Sequence, residues 1–581
     1  MLKLALLTPL ALFLLFAVSA AWSGERHVPT PGRSGRSVVM APHGMVAASH
    51  PLAAQIGLDV LKKGGNAVDA AIAVNAALGL MEPMMCGPGG DLYALVWDAR
   101  TKKLHGLNAS GRSPRKATRD FFAKKGLDAI PETGPLSWSV PGCVDGWDQL
   151  RRRFGTMTFA QILEPTIRYA EDGFPVTEVI AGSWQAAEPA LKDQPEAAKT
   201  YLPDGHAPHA GDVFKNPRLA KTYREIAQGG RDAFYKGRLA KEIVAFSEKH
   251  GGLFTLEDFE KHTSTWVEPV STRYRGYDVW EIPPPGQGIA VLEMLNVLEG
   301  YDLKKMGPES PDWWHLFVEA KKLAYADRAR YYADPDFGKL PTAELISKKY
   351  AEARRQRIDM HKALTDVPPG DPSPLSPKEG ERGEGAASET VYLCVVDKDR
   401  NCVSLIQSIY FGFGSGVAAG DLGFMLQNRG CLFALDDKHA NRLEPGKRPF
   451  HTIIPAMVTK DGRPWFVFGV MGGDMQPQGQ VQVLVNLIDF GMNVQEAGEA
   501  PRLEHFGSAT PTGKPAAPKG GEVAAERGIS DKVVQELVRR GHRVVRTPRN
   551  GGGYQGILID PKTNMLHGGS EARKDGCAVG Y

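Results

Sequence analysis

The sequence Glu389-Thr390-Val391-Tyr392-Leu393-Cys394-Val395-Val396 marks the sharpest change of character in the chain. Residues 368–388 before it are rich in Pro, Gly, Ser and Glu, whereas the run after Thr390 has the β-branched and apolar residues of a buried strand. If the bond before Thr390 were cut, its hydroxyl would stand beside a free α-amine, which is a nucleophile with its own base. The junction by itself also fits a strand that merely follows a flexible loop.

The size and charge of the chain limit the classes of function. With 581 residues, of which 42% are hydrophobic, the chain can form several domains or one large domain with two lobes around a large core. The net charge of +3 is small for this length and gives no reason to expect nucleic acid or an anionic membrane as a partner.

Residues 1–21 have the layout of a secretory signal peptide. Lys3 precedes an almost wholly apolar run from Leu4 to Val18, and Ser19-Ala20-Ala21 supplies small residues for cleavage. The run is short for a membrane span, although an uncleaved anchor is the alternative. We therefore expect an exported protein, periplasmic or secreted, that has no membrane attachment after the signal is removed.

The rest of the chain divides into two parts with different periodicity. Residues 22–38 look like a flexible lead-in, the middle of the chain is mainly helical, and from Thr390 onward short β-rich runs dominate. Before Thr390, residues 364–388 hold five prolines and many charges without an apolar run, which predicts a disordered linker. Segregated helices and strands predict an α+β protein with sheets inside and helices outside.

Seven short motifs occur in a particular order over about five hundred residues. They are Gly-Gly-Asn-Ala-Val-Asp-Ala-Ala (64–71), Ser-Val-Pro-Gly (139–142), Asp-Ala-Phe-Tyr-Lys-Gly (232–237), Gly-Leu-Phe-Thr-Leu-Glu-Asp (252–258), Gly-Lys-Arg-Pro (446–449), Gly-Gly (472–473) and Asp-Gly-Cys-Ala-Val-Gly-Tyr (575–581). Each motif alone is weak, but their shared order resembles the γ-glutamyltransferase (glutathione hydrolase) family of N-terminal nucleophile hydrolases.

The resemblance implies a fold and a processing event. It implies a four-layer αββα sandwich, made as an inactive precursor that cuts itself before Thr390. The products would be a large subunit, 22–389, and a small catalytic subunit, 390–581, which stay together as a heterodimer. On this reading Thr390 first attacks its own chain and then attacks the amide of a small-molecule substrate.

The resemblance also assigns roles around Thr390. Gly472 and Gly473 match a glycine pair whose backbone N–H groups stabilise the oxyanion, although they also fit a simple turn after a strand. Ser408 matches a residue that hydrogen-bonds the nucleophile and assists self-cleavage, and it also fits an ordinary polar strand position. Asn428 fits either a substrate-pocket residue or a turn former.

The substrate clamp of the family is altered here. The arginine that grips the glutamyl carboxylate is replaced by Ser110, and Arg112 could reach that carboxylate or lie on the surface. Paired serines are replaced by His451 and Thr452; Thr452 could donate, and His451 is a pocket donor or a packed strand residue. The acidic pair that holds the ammonium is missing, because residues 429–433 read Arg-Gly-Cys-Leu-Phe.

These departures leave the acyl group open. The chain resembles the branch that includes cephalosporin acylase-type proteins. The main prediction is an exported threonine amidohydrolase that hydrolyses, or transfers, γ-glutamyl groups of glutathione-like amides through an acyl-enzyme. The alternatives are a glutaryl or cephalosporin-type acylase and a non-catalytic exported binding protein. No cofactor and no metal are indicated, because no Cys/His ligand spacing and no phosphate-binding glycine loop occurs.

Overall fold

The computed structural model describes residues 35–372, 389–547 and 551–581, so the predicted signal peptide 1–21 and residues 373–388 of the predicted linker lie outside it. The strands are, in chain order, β1 (Val39–Ala41), β2 (Met45–Ala48), β3 (Asp91–Asp98), β4 (Lys103–Ala109), β5 (Phe174–Pro175), β6 (Val213–Phe214), β7 (Thr265–Val267), β8 (Val270–Tyr274), β9 (Tyr277–Glu281), β10 (Glu389–Val396), β11 (Cys402–Tyr410), β12 (Ala456–Lys460), β13 (Arg463–Val470), β14 (Leu503–Phe506), β15 (Glu522–Glu526), β16 (Val544–Thr547), β17 (Tyr554–Ile559), β18 (Leu566–Ser570) and β19 (Cys577–Gly580).

More of the described helices lie before β10 than after it. They are Pro51–Lys62, Ala67–Met81, Arg119–Lys124, Cys143–Phe154, Phe159–Asp172, Glu178–Lys192, Pro195–Tyr201, Pro217–Tyr235, Arg238–Lys249, Leu256–Glu260, Ile289–Leu298, Leu303–Met306, Pro311–Tyr331, Thr342–Leu345, Lys348–Arg355, Met475–Ile488, Val494–Glu499 and Asp531–Arg539. Short 3₁₀ turns lie at Pro135–Ser137, Pro203–Gly205, Pro335–Phe337, Arg429–Leu432 and Pro518–Gly520.

Two seven-stranded antiparallel sheets form the centre of the molecule. One has the order β19-β2-β10-β11-β3-β4-β7, and the other has the order β1-β18-β17-β13-β12-β9-β8. Strand β10 is therefore interior, with β2 on one side and β11 on the other; Leu393 pairs with Ala48 and with Leu405. Both sheets contain strands from before and from after residue 390, so neither part of the chain completes a sheet alone.

The two faces of β10 show how the layers stack. Val391, Leu393 and Val395 pack into the core between the first sheet and the helices before residue 250, whereas Tyr392 and Cys394 pack into the core between the two sheets. This alternation is the two-residue period of a strand that is buried on both faces. A third core joins the second sheet to helices such as Ile289–Leu298 and Met475–Ile488. The predicted α+β class and four-layer αββα sandwich are confirmed.

The first of the seven motifs is a buried helix start. Asn66 caps helix Ala67–Met81, every residue of which is buried, and Asp69 completes a capping box by accepting a hydrogen bond from the Asn66 backbone N–H (3.0 Å). Asp69 also accepts from the backbone N–H groups of Thr156 (3.0 Å) and Met157 (3.1 Å). One carboxylate thus satisfies donors from two parts of the chain.

The beginning of the predicted linker is held by the folded protein. Residues 364–372 form neither helix nor strand, but the Leu364 N–H donates to Glu319 (3.1 Å) and the Gly370 N–H donates to Asp327 (2.6 Å). Arg354 donates to the Pro368 carbonyl (3.3 Å). The composition of this stretch indicated disorder, but these contacts fix its first nine residues because backbone groups find buried partners on two helices.

No helix in the described ranges is long and apolar enough to cross a membrane.

Replacement of Asp69 by alanine tests the importance of the buried cap. Asp69→Ala leaves several buried N–H groups without acceptors, so we expect a loss of about 3 kcal/mol in the free energy of unfolding, measured by denaturant titration. The matched control is Asp59→Ala. Asp59 lies on the preceding helix, Pro51–Lys62, where its side chain accepts an exposed hydrogen bond from Gln55 of the same helix. This variant should change stability by less than about 0.5 kcal/mol. Equal losses in the two variants would contradict this role for Asp69.

Candidate active site

Thr390 lies at the start of β10, where the ladder with β11 is irregular. Glu389 pairs with Tyr410 and Val391 pairs with Gln407, so Ser408 and Ile409 together face Thr390 across a β-bulge. The Thr390 side chain is fully buried. A bulge interrupts the regular ladder hydrogen bonds, so Thr390 lies at an irregular position of the strand pair.

Ser408 lies opposite Thr390 at this bulge. Its hydroxyl oxygen accepts a hydrogen bond from the Tyr410 backbone N–H (2.8 Å), and Ser408 pairs with Asp91 on the opposite strand. Tyr410 has a positive φ of 81°, which is uncommon for a residue with a side chain. The bond to Ser408 thus supports a strained backbone directly across from Glu389, the residue before the predicted cleavage point.

Gly472 and Gly473 connect β13 to helix Met475–Ile488 and both have positive φ values, 107° and 51°. A Cβ on Gly472 would lie 2.7 Å from the Gly552 nitrogen, so a side chain does not fit. Across the described residues, the N–H groups of this pair have no hydrogen-bond acceptor. Free donors at a helix N-terminus, where the helix dipole favours negative charge, form a suitable oxyanion site.

Gln476 joins Thr390 to this glycine turn. The residue lies in the first turn of helix Met475–Ile488, and its side-chain Nε2 is 3.5 Å from Thr390 Oγ1. Its Oε1 accepts from the Ile454 N–H (3.0 Å), which fixes the orientation of the amide. The helix that carries the glycine pair therefore also reaches the Thr390 hydroxyl.

Gln287 fixes the other side of the glycine turn. Its Nε2 donates to the carbonyl of Gly473 (2.8 Å) and to the carbonyl of Thr452 (2.7 Å). Its Oε1 accepts from Arg328 (2.7 Å), which also binds Asp474. Because Gln287 binds the Gly473 carbonyl, the peptide group between Gly473 and Asp474 cannot rotate freely.

Within the described ranges, Ser110 and Arg112 make their hydrogen bonds to residues other than Thr390. The Ser110 hydroxyl donates to the side chain of Asn108 (2.7 Å). Arg112 donates to the Gly446 carbonyl (3.1 Å) and to Asp336 (3.1 Å), and about a quarter of its side chain (27%) is exposed. In this structure Arg112 therefore ties together two loops, which favours the surface alternative over the substrate-carboxylate alternative.

His451 is a packed residue in a buried polar cluster. Its Nε2 lies 3.0 Å from Asp91, and its ring lies 5.0 Å from the ring of Tyr93. Burial, together with the Arg429 guanidinium, holds the pKa of His451 well below its usual range, so the ring is neutral. Burial raises the pKa of Asp91 to about 6, although Asp91 also accepts hydrogen bonds from Gln427 and backbone N–H groups.

Asn428 acts as a turn former. Its side-chain amide donates to the Glu132 carbonyl (2.7 Å) and accepts from the Phe411 N–H (3.2 Å), so both of its ends are used to fix loops. The hydroxyl of Thr452 accepts from Arg429 (2.9 Å). Among the substrate-binding candidates, Thr452 is linked to the glycine turn, because its carbonyl and the Gly473 carbonyl both accept from Gln287.

Three residues of the site were missed by the sequence analysis, namely Gln287, Arg429 and Gln476. Gln476 begins a series of alternating glutamines at 476, 478, 480 and 482, unusual in so buried a helix, and that was a usable signal. Arg429 is the one charged residue of the largely apolar segment 422–435, and this was a second usable signal. Gln287 follows three prolines and a glycine and carries no comparable signal.

One group of side chains has ligand atoms close enough to hold a metal ion. Atoms of His315, Glu319 and His542, all buried, lie within 4.8 Å of one another. The two histidines are already hydrogen-bonded to each other (2.8 Å), and Glu319 is paired with the ammonium of Lys322 (2.9 Å). These partners occupy the ligand atoms and place a positive charge beside them, so the group fits a satisfied polar network better than a metal centre.

Comparisons with known proteins agree with this architecture. The sequence profile of the family described as "Gamma-glutamyltranspeptidase" matches residues 53–581. The chain is 39% identical to the Glutathione hydrolase-like YwrD proenzyme of Bacillus subtilis (strain 168), over 92% of this chain and 98% of that protein. It is 34% identical to the Glutathione hydrolase proenzyme of Escherichia coli (strain K12), over 94% and 93% of the two chains.

A solved structure has the same fold over nearly its whole length. The crystal structure of cephalosporin acylase from Bacillus halodurans superposes with a TM-score of 0.86 at 43% sequence identity, covering 96% of this chain and 98% of the other. The resemblance drawn from the seven motifs is thereby confirmed. The chain belongs to the gamma-glutamyltranspeptidase family and is an enzyme of the N-terminal nucleophile hydrolase type.

Proposed function

We propose that this protein is an exported, self-processing threonine amidohydrolase that releases γ-glutamyl groups from glutathione-like amides through an acyl-enzyme. The observation that carries the proposal is the position of Thr390. It is buried at a β-bulge beside Ser408, and Gln476 connects its hydroxyl to the helix that follows Gly472 and Gly473. Nucleophile and oxyanion donors are thus parts of one hydrogen-bonded unit.

The same hydroxyl performs two reactions in this proposal. In the precursor, Thr390 Oγ attacks the carbonyl carbon of Glu389; the peptide C–N bond breaks, the Thr390 nitrogen takes a proton, and the resulting ester is opened by water. The products are the large subunit 22–389 and the small subunit 390–581. Ser408 supports the strained backbone at Tyr410, across from the bond that breaks.

In the mature enzyme the freed α-amine of Thr390 serves as the base. Its ordinary pKa of about 8 lets a useful fraction stay unprotonated near neutral pH. The amine takes the hydroxyl proton while Oγ attacks the substrate amide, and the N–H groups of Gly472 and Gly473 stabilise the oxyanion by about 3 kcal/mol per donor. The leaving amine departs with that proton, and water then hydrolyses the acyl-enzyme.

The two subunits would remain together after the cut. Strands β10 and β11 lie between β2 and β3 in one sheet, so separation would break ladder hydrogen bonds on both sides and expose the cores. Export is supported by the signal-like residues 1–21. A purely binding role is disfavoured because the free N–H groups, the bulge and the threonine are all present, and each serves catalysis.

Loss of the Thr390 hydroxyl should abolish both processing and activity. We expect the wild type to give two bands on a denaturing gel but one species by native size-exclusion chromatography. Thr390→Ala should stay as a single chain without activity on γ-glutamyl-p-nitroanilide, because no nucleophile remains. Ser404→Ala is the control, because Ser404 is a buried hydroxyl residue on the adjacent strand β11 whose side chain bonds Tyr392 (2.8 Å). This variant should be processed normally. Cleavage of the Thr390→Ala chain at the same bond would refute self-processing by this residue.

Gln476 should matter for turnover more than for stability. Gln476→Ala removes the side-chain donor near Thr390, so we expect kcat to fall about tenfold, the effect of losing one hydrogen bond of about 1.4 kcal/mol. Gln480→Ala is the control, because Gln480 lies one turn further along the same helix and binds the carbonyl of the same residue, Ile454 (3.0 Å). Thermal melting should show similar destabilisation of both variants. An equal loss of kcat in both would mean that Gln476 acts only through packing.

A further inference from the structure

Arg429 is a buried cation with unused hydrogen-bonding capacity. Its side chain is 0% exposed, and only Nη1 has a partner, the hydroxyl of Thr452 at 2.9 Å. Within the described residues, Nε and Nη2 have no hydrogen-bond partner. Burying a guanidinium without hydrogen-bond partners destabilises a protein, so the two nitrogens of Arg429 that have no partner need an explanation.

The contacts of Arg429 place it beside the reaction site. Its guanidinium lies 4.9 Å from the ring centre of Tyr410, and Tyr410 pairs with Glu389 in the ladder, one residue before Thr390. On its other side, Arg429 binds Thr452, whose carbonyl shares the Gln287 amide with the carbonyl of Gly473. Arg429 is therefore linked through Tyr410 to the start of β10, and through Thr452 and Gln287 to the turn at Gly473.

Within the described part of the chain, the charge of Arg429 is not matched by a direct ion pair. Asp91 is the acidic group that raises the pKa of Arg429 most, but the oxygens of Asp91 are used by Gln427, His451 and two backbone N–H groups. Burial lowers the pKa of Arg429 to about 10, so the guanidinium remains protonated at neutral pH. An anion is the partner that a protonated guanidinium with two free N–H groups binds best, because a carboxylate can accept both bonds.

The surroundings provide no comparable partner for an ammonium group. Residues 431 and 432, which follow Arg429, are Cys and Leu, and Leu432 is buried. Asp474, next to the glycine pair, is held by the guanidinium of Arg328. Glu132, which acts on Cys431 and Tyr410, is exposed and lies 3.8 Å from Lys514. Among the described residues, the acidic side chains near Arg429 thus already have partners, and the region favours a negative group on the substrate.

We propose that Arg429 binds a carboxylate at the far end of the substrate acyl group, so that the enzyme prefers amides of short dicarboxylic acids whether or not they carry an amino group. This assignment rests on the proposed function, because it takes Thr390 as the nucleophile. It makes Arg429 the residue that determines acyl specificity, in place of Arg112, which is tied to Gly446 and Asp336.

Three p-nitroanilides separate the contributions of the carboxylate and the ammonium: γ-glutamyl, glutaryl and butyryl. For the processed wild type we expect kcat/KM values for the first two within about tenfold of each other, and a value for butyryl about a hundredfold lower. Arg429→Gln should lower kcat/KM for both acidic acyl groups about a hundredfold and leave the butyryl value within about threefold. Arg429→Lys should recover part of the loss, since it keeps the charge but not the planar fork.

Controls distinguish the possible failures. Processing on a denaturing gel and thermal melting report whether each Arg429 variant folds. If the variants do not fold, inhibition of the wild type by glutaramate and butyramide decides: glutaramate should bind at least about tenfold more tightly. A processed wild type that cleaves none of the three anilides would overturn the proposed function, and this inference with it. Butyryl cleavage as fast as glutaryl cleavage, an equal loss on all three in Arg429→Gln, or equal inhibition by the two amides would overturn the role of Arg429 alone.

Discussion

The rest of the structure depends on the pairing of β10 on both sides. This strand begins at Glu389 and pairs with β11 along most of its length and with β2 from Leu393 onward, so Thr390 lies three residues before a segment that is anchored on both sides. A nucleophile at a new chain end would ordinarily fray, because chain termini lose their backbone bonds first. An interior strand with apolar side chains on both faces prevents this, and the end of the chain stays fixed within the core.

The second requirement is that catalytic groups from distant parts of the sequence stay in register with Thr390. Amide side chains do this here. Gln476 reaches both Ile454 and Thr390, and Gln287 binds the carbonyls of Thr452 and Gly473. Each amide has a donor and an acceptor end, so one buried side chain can fix two backbone segments without introducing charge. Gly472 and Gly473 have positive φ values, and in the proposed function their N–H groups stabilise the oxyanion.

Local features of the fold could be predicted from the sequence. The capping box at Asn66 and Asp69 and the strand after Thr390 rest on neighbouring residues, and the structure has both. The four-layer sandwich came from the family resemblance, since layer order depends on pairings over hundreds of residues. Residues 364–372 look disordered by composition, yet they are fixed by partners on two helices, Pro311–Tyr331 and Lys348–Arg355, which local sequence does not reveal.

The substrate pocket was harder to predict for the same reason. Arg112 and Arg429 are both arginines near family motifs, but Arg112 finds acceptors on a loop, whereas Arg429 is buried with donors to spare. That difference is visible only in the folded structure.

The most direct test of the central claim is the intact mass of the purified protein together with the N-terminal sequence of its smaller fragment. The account predicts a fragment that begins at Thr390 and ends at Tyr581; a fully active protein that consists of one uncut chain would contradict it.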